Sequence, residues 1–193
     1  MIRVAGVEDI SAILDIYAPY VEETTITFEY TVPSVEEFAE RFESVTREFP
    51  WLVWEEGGTV LGYAYASRPF ARAAYGWCAE PSIYLRPRAR GRGIGRKLYT
   101  ALETLLEEQG YQVSLALITG ENGASAAFHE KLGYALCGRL HRCGFKLGKW
   151  LDVVWMEKRL NTVHNPECFP TPWERFRQDE QKIYDILANL SLS

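Results

Sequence analysis

No run of this 193-residue chain approaches the apolar length of a membrane span, and its first residues lack the basic-then-apolar pattern of a secretory signal. The chain is therefore expected in the cytoplasm, where its four cysteines are thiols. None of Cys78, Cys137, Cys143 and Cys168 stands in a Cys-x-x-Cys pair, and His129, His141 and His164 have no metal-ligand spacing. No metal is expected. Broad positive charge is also missing. With 21 Lys and Arg against 26 Asp and Glu, the formal charge is −5, which argues against a nucleic-acid or membrane-surface binder because such binding rests on extended positive potential. Internal repeats and low-complexity tracts are absent, and Asn189-Leu190-Ser191 matches a glycosylation acceptor only by chance in a cytoplasmic chain. What is present is 47% hydrophobic and 13% aromatic residues, enough for one globular domain, or one with an appendage.

The bases are densest in one segment. Arg86 to Lys97 holds six basic residues and three glycines in twelve positions. The segment follows a strand-like run, Ser82-Ile83-Tyr84-Leu85, and opens a helical pattern of Ile94, Leu98, Ala101, Leu102 and Leu105. At a strand, glycine turn and helix start, backbone N–H groups and the positive end of the helix dipole converge. Glycines let a ligand approach the main chain, and arginines add charge-assisted bonds. A pyrophosphate fits such a cradle. A solvated basic turn or a local nucleic-acid patch is the competing reading of this motif alone.

Spacing narrows the ligand. A dinucleotide turn needs Gly-x-Gly-x-x-Gly with an acidic residue further on, and a nucleotide-triphosphate loop needs Gly-x-x-x-x-Gly-Lys-Ser/Thr; neither is here. What is here is Arg/Gln-x-x-Gly-x-Gly, as Arg90-Gly91-Arg92-Gly93-Ile94-Gly95. In this the chain resembles the GNAT superfamily of N-acetyltransferases, whose cosubstrate is acetyl-CoA. Two more segments add to the likeness. Ala71 to Leu85 resembles the stretch before the cradle in phosphinothricin N-acetyltransferases, and Gly148-Lys149-Trp150-Leu151-Asp152 their late Gly-x-Trp-x-Asp signature. The likeness spans residues 1–160 and implies a homodimer acetylating the α-amino group of a small amino-acid-like substrate, such as phosphinothricin or methionine sulfoximine.

Element order agrees with that family. Ile2-Arg3-Val4 reads as a strand and Ile10, Ile13, Leu14 and Tyr17 as one helix face, its end made irregular by Pro19. Residues 21–33 read as extended or looped, and Ser34-Val35-Glu36-Glu37 as a capping box. Trp51 to Trp54 and Val60 to Tyr65 form a hairpin about Gly57-Gly58. After a loop from Arg68 to Trp77 comes a strand near Ala79 to Arg86 and a helix ending near Gly110. Val113 to Ile118 is then a strand, Ala124 to Lys131 a short helix stopped at Gly133, and Tyr134 to Arg142 and Trp150 to Lys158 two strands. The fold class is α/β: the GNAT acyl-CoA acyltransferase fold, a central mixed, mostly antiparallel sheet flanked by helices. Residues 161–193 are expected as a tail, loop-like from Asn161 to Pro172, then one docked helix with Trp173, Phe176, Ile183, Leu187 and Leu190.

Chemistry can be argued residue by residue. An α-amino group of pKa about 8 is mostly protonated at neutral pH and cannot attack a thioester until a base removes a proton. Glu80 is the candidate base, on the strand entering the cradle with the side-chain parity of Ser82 and Tyr84; the resemblance places the family's catalytic glutamate there. A surface glutamate at a strand end is the alternative. Pro81 departs from the polar residue common in relatives and removes a backbone donor, which marks a bulge or an edge. His129 stands where many relatives carry a tyrosine that protonates the departing thiolate; otherwise it is a helix-surface histidine touching coenzyme or solvent.

For the coenzyme, the main chain of Ile83, Tyr84 and Leu85 is expected to bond the pantetheine as an added strand would, one N–H polarising the thioester carbonyl. Arg90, Gly91, Arg92, Gly93, Ile94, Gly95 and Arg96 hold the phosphates, and the resemblance adds Asn122, with Ser125 beside it. For the substrate it implies Arg72 and Tyr75, with Arg68 and Phe28 as further wall residues; each could instead be a surface arginine or a core ring. Lys149, Trp150 and Asp152 either shape the dimer-side wall or stabilise a hairpin. Two other functions stay open: a GNAT enzyme acting on a protein amino terminus or lysine, and a coenzyme-binding module without catalysis.

Overall fold

The computed structural model describes residues 1–161 and 168–192. Its seven-stranded sheet comprises β1 (Ile2–Val4), β2 (Trp51–Glu56), β3 (Thr59–Ser67), β4 (Cys78–Leu85), β5 (Val113–Thr119), β6 (Ala135–Lys146) and β7 (Lys149–Arg159). The spatial order is β1-β2-β3-β4-β5-β7-β6. Every neighbouring pair is antiparallel except β4 and β5. That parallel pair matches only at Cys78–Val113 and Ala79–Ser114; beyond these residues the two strands part. The sheet therefore splits in its middle, at Glu80.

Alternation sorts the side chains to two faces. Trp51, Val53 and Tyr63 pack with α1 (Ile10–Glu23) and α2 (Val35–Glu48) on one face. Leu52, Trp54, Ala64, Ala66 and Ala79 pack on the other against α3 (Ile94–Gln109). The second face also carries α4 (Gly123–Lys131), over Ala116 and Ile118 of β5. Ser34 caps α2 as its sequence implies: its hydroxyl accepts from Glu37 N at 3.1 Å, while the Glu37 carboxylate accepts from Ser34 N at 2.8 Å.

Three elements differ from expectation. Pro19 lies inside α1, which continues to Glu23. Its last turn is fixed by tertiary bonds, since the Tyr20 hydroxyl donates to Leu85 O (2.6 Å) and Thr24 Oγ1 to Tyr20 O (2.7 Å). Strand β6 continues past Arg142 to Lys146, because the pairing with β7 absorbs extra residues at two irregularities, and Arg142 takes a φ of 50°. The tail helix is two: α5 (Trp173–Phe176) and α6 (Glu180–Leu192), separated by a turn at 177–179. Trp173, Ile183 and Leu187 are buried in the α3-side core. Of the loop expected from Asn161 to Pro172, residues 162–167, His164 among them, lie outside the described residues.

Candidate active site

The parting of β4 from β5 leaves a cleft of about 70 Å³ lined by Ser82, Ile83, Thr119, Asn122, Ser125 and His129. Backbone alternation decides what β4 offers it. Arg86 N donates to Leu61 O (2.8 Å), so with the register of β3 the amides of Tyr84 and Ser82 also face β3, while those of Ile83 and Leu85 face the split. Pro81 falls on the split side, where no ladder bond is lost. Leu85 is already engaged, its N–H donating to the Tyr20 hydroxyl at 3.2 Å and its carbonyl accepting from it. Of the three residues expected to bond a pantetheine through the main chain, Ile83 alone presents unengaged groups to the cleft.

Glu80 sits where the strands part. By alternation with Ser82 and Tyr84 its side chain lies on the α1 and α2 face. It is half-buried and has no hydrogen bond or ion pair among the described residues. Burial pushes its carboxyl above the ordinary glutamate range, which makes it a stronger base.

His129 occupies the opposite face. It is 4% exposed, its Nδ1–H donates to Ser125 O at 2.8 Å, and Nε2 accepts from the Tyr99 hydroxyl at 2.9 Å. The carbonyl can only accept, so the ring is the Nδ1–H tautomer. Burial lowers the imidazole pKa, so the ring is neutral at neutral pH. Its one proton is spent on a helix carbonyl. The ring is thus buried rather than on the helix surface, and it lines the cleft beside Ser125 with its proton on a helix carbonyl. Behind Tyr99 lies a buried carboxylate, Glu103, that accepts from Tyr134 (2.8 Å) and Lys158 (2.7 Å).

The glycine turn and helix start expected after β4 are present. Gly91 and Gly93 have φ of 72° and 78°, and a Cβ added to either would meet no atom within 4 Å. Gly93 starts α3; Lys97 N is the first helix amide bonded to it (3.1 Å to Gly93 O), so the amides of Ile94, Gly95 and Arg96 are those left without an intrahelical acceptor. Gly95 has a packing reason as well, since a Cβ there would lie 3.2 Å from Leu85 Cδ1. Arg90 donates to the Tyr20 hydroxyl at 2.9 Å, and Arg92 pairs with Glu56 at 2.9 Å across exposed surface; both would have to share their donors with a phosphate. Asn122 caps α4, accepting from Ser125 N at 3.1 Å.

The α1 side of the cleft is walled by the loop after α1, stapled over the sheet. Thr119 Oγ1 donates to Thr25 O (2.7 Å), Lys146 Nζ to Thr27 O (2.8 Å), and the Tyr30 hydroxyl to Phe145 O. Phe28 lies on Gly144, where a Cβ would be 2.2 Å from its ring. Arg72 and Tyr75 are in the loop between β3 and β4, which springs from Ser67, the residue paired with Glu80. Arg72 is exposed with no ion pair among the described residues, and Tyr75 packs on Phe70 (4.5 Å), which stacks on Trp155 (5.8 Å). Arg68 is committed elsewhere, to Glu48 at 2.7 Å. Asp152 accepts from Arg142 N (2.9 Å) and His141 (3.1 Å), and Trp150 lies under the Arg142 guanidinium (5.5 Å), so both stabilise the bulged hairpin. Lys149 pairs with Glu121 at 3.4 Å.

Tyr20, Tyr99, Thr119 and Lys146 had no sequence signal beyond ordinary core or strand residues. A larger apolar groove of about 650 Å³ runs between β1 and α6, remote from this chemistry. No group of three or more potential metal ligands occurs among the described residues, and no described helix is long and apolar enough to cross a membrane.

Known proteins share this fold. The family model described as an acetyltransferase (GNAT) domain matches residues 2–155. The phosphinothricin N-acetyltransferase of Streptomyces viridochromogenes is 37% identical over 81% of this chain and 86% of its own length. An L-methionine sulfoximine/L-methionine sulfone acetyltransferase of Pseudomonas aeruginosa is 37% identical over 85% of this chain and 96% of its own. The crystal structure of a phosphinothricin acetyltransferase from Sinorhizobium meliloti in complex with acetyl-CoA superposes with a TM-score of 0.82 at 39% identity, over 89% of this chain and 92% of that one.

Proposed function

Because the chain belongs to the GNAT family and is an acetyl-CoA-dependent N-acetyltransferase, we propose that it acetylates the α-amino group of a small amino-acid-like substrate, phosphinothricin, methionine sulfoximine or a relative, with Glu80 as general base. The observation that carries this is a half-buried carboxylate at the point where the sheet splits, without a hydrogen bond or ion pair among the described residues, on the strand whose partner Ser67 leads into the loop of Arg72.

The residues fit the coenzyme: two glycines stand open to solvent at the start of α3, and one strand edge is free. When bound, acetyl-CoA supplies an acetyl thioester whose C–S bond breaks as the amine forms the amide. The amides of Ile94, Gly95 and Arg96, with Arg90 and Arg92, hold phosphate oxygens, and Ile83 bonds the pantetheine and turns an N–H toward the thioester carbonyl. Glu80 takes the proton of the incoming ammonium from the α1 and α2 face. His129, on the far face, positions Ser125 and the wall of the cleft. A thiol of pKa about 8.5 leaves readily as its anion, so no stored acid is required.

Arg72 pairs with the substrate's anionic end and Tyr75 and Phe28 form walls. Exposed pairs are worth about 1 kcal/mol or less, so the preference for the free acid over its amide should be about fivefold or below, unless the substrate buries the guanidinium. Thiol release from acetyl-CoA over phosphinothricin, methionine sulfoximine, their carboxyl amides and short peptides tests the reading. The free acids should turn over fastest, and Arg72→Ala should raise their KM while changing the amides little. Equal turnover of acid and amide, or preference for peptides, would instead favour an enzyme of protein amino termini. The catalytic domain is taken as residues 1–160, with 161–193 as an appendage, and the enzyme as a cytoplasmic homodimer.

A further inference from the structure

We propose that the segment 168–172, beyond the family match that ends at residue 155, sets substrate specificity by holding the loop of Arg72 and Tyr75 in place, with Phe169 as the positioning residue. This rests on the reading that the loop binds the substrate's anionic end.

The loop has little support of its own. Residues 71–75 are all exposed, and the turn is closed locally by Tyr75 N to Arg72 O (3.0 Å) and Gly76 N to Ala73 O (2.9 Å). Its far end is gripped from outside the sheet. The Phe169 ring stacks on Trp77 at 4.4 Å and 17°, and the Trp77 indole N–H donates to Cys168 O at 3.2 Å. Gly76 admits this contact by lacking a side chain: a Cβ there would sit 2.9 Å from the Phe169 ring. On the body side a cavity of about 260 Å³ is lined by Ala73, Gly76, Tyr111 and the Arg68–Glu48 pair, while the loop's aromatic contact with the sheet runs from Tyr75 through Phe70 to Trp155.

The support is itself anchored. Gln109 at the end of α3 donates to Glu48 O (3.1 Å) and Thr171 O (2.8 Å), Thr171 N donates back to Gln109 O (2.8 Å), and Trp173 is wholly buried. Loop position is thereby tied to the junction of α2 and α3 rather than to β3 and β4 alone. Phe169 is 61% exposed, so its ring contributes little to the core and much to this one contact.

The test is steady-state kinetics of the full chain with phosphinothricin for Phe169→Ala, Phe169→Tyr, Arg72→Ala and the double variant. Phe169→Ala should raise KM for the amino acid by about threefold, within the roughly fivefold that the Arg72 pair itself is worth. It should leave KM for acetyl-CoA and the melting temperature near wild type, and Phe169→Tyr should restore KM. The double variant should lose no more than Arg72→Ala, since both act through one contact. An unchanged amino-acid KM, a parallel rise for acetyl-CoA with a lower melting temperature, or additive losses would each overturn the inference. If Arg72→Ala itself leaves KM unaltered, the substrate reading fails and the inference with it, an outcome separable from failure of Phe169→Ala alone.

Discussion

At the scale of single residues, Glu80 is held in a state that favours chemistry over stability. Its pKa is raised in the folded chain, so the sign is that of an acid better tolerated protonated: the contribution of Glu80 to folding stability is greatest below the unfolded value of about 4.3 and is lost as pH rises through the higher folded value. Glu80→Gln should therefore raise the melting temperature at pH 7 while lowering kcat by about a hundredfold or more, the usual scale for a positioned base. The acid limb of kcat/KM, expected above the ordinary glutamate range in the parent, should vanish in the variant. Full kcat at pH 7 with chemistry rate-limiting would remove Glu80 from the mechanism. The strand face that carries Glu80 could be read from sequence because strand parity is local. The burial of His129 against Tyr99 could not, since that partner lies thirty positions away on another helix. Nor could the engagement of Leu85 by Tyr20, which depends on α1 crossing the start of the cradle.

At the scale of elements, the cradle is the part most completely written in sequence, since strand, glycine turn and helix start are contiguous. Gly93 is the sharpest test of it. Its φ of 78° strains any L residue by about 1–2 kcal/mol, and a Cβ would project into space that no protein atom fills. Gly93→Ala should leave a folded chain whose affinity for acetyl-CoA, by calorimetric titration, falls at least tenfold, scaled from that strain plus the lost close approach. Unchanged affinity in a folded variant would remove the phosphate site from this turn. The helices and strands themselves followed from 3.6-residue and two-residue periods. The departures arose where tertiary contacts outweigh local preference. Pro19 is carried within α1 because Tyr20 is bonded beyond it, β6 outruns Arg142 because β7 tolerates a bulge, and the tail breaks at 177–179 because α5 and α6 pack on different neighbours. The split of β4 from β5, on which the site depends, left only one trace in the sequence, the proline at position 81.

At the scale of the whole molecule, the two edges of the sheet are treated unequally. One is the three-residue β1, flanked by α6. The other is the twelve-residue β6, whose Leu136, Leu140 and Phe145 are exposed, as is Trp150 beside them on β7. A long edge strand with apolar side chains in water invites pairing with another chain unless something covers it. A second copy of this hairpin is the simplest cover, and it would place β6 and β7 of one protomer beside the substrate wall of the other, since Phe28 rests on Gly144 and Tyr30 bonds Phe145 O. Sedimentation velocity should thus give twice the mass of one chain. Leu140→Glu, which puts a charge on the apolar edge without touching Glu80, the cradle or the Arg72 loop, should shift the protein toward monomer. Because Phe28 and Tyr30 lean on this hairpin, and Phe28 is proposed as a substrate wall, the monomeric form should show a raised KM for the amino acid with little change in affinity for acetyl-CoA. A wild-type chain that sediments as a monomer at assay concentration would show that the edge is tolerated bare and that the site is complete within one protomer.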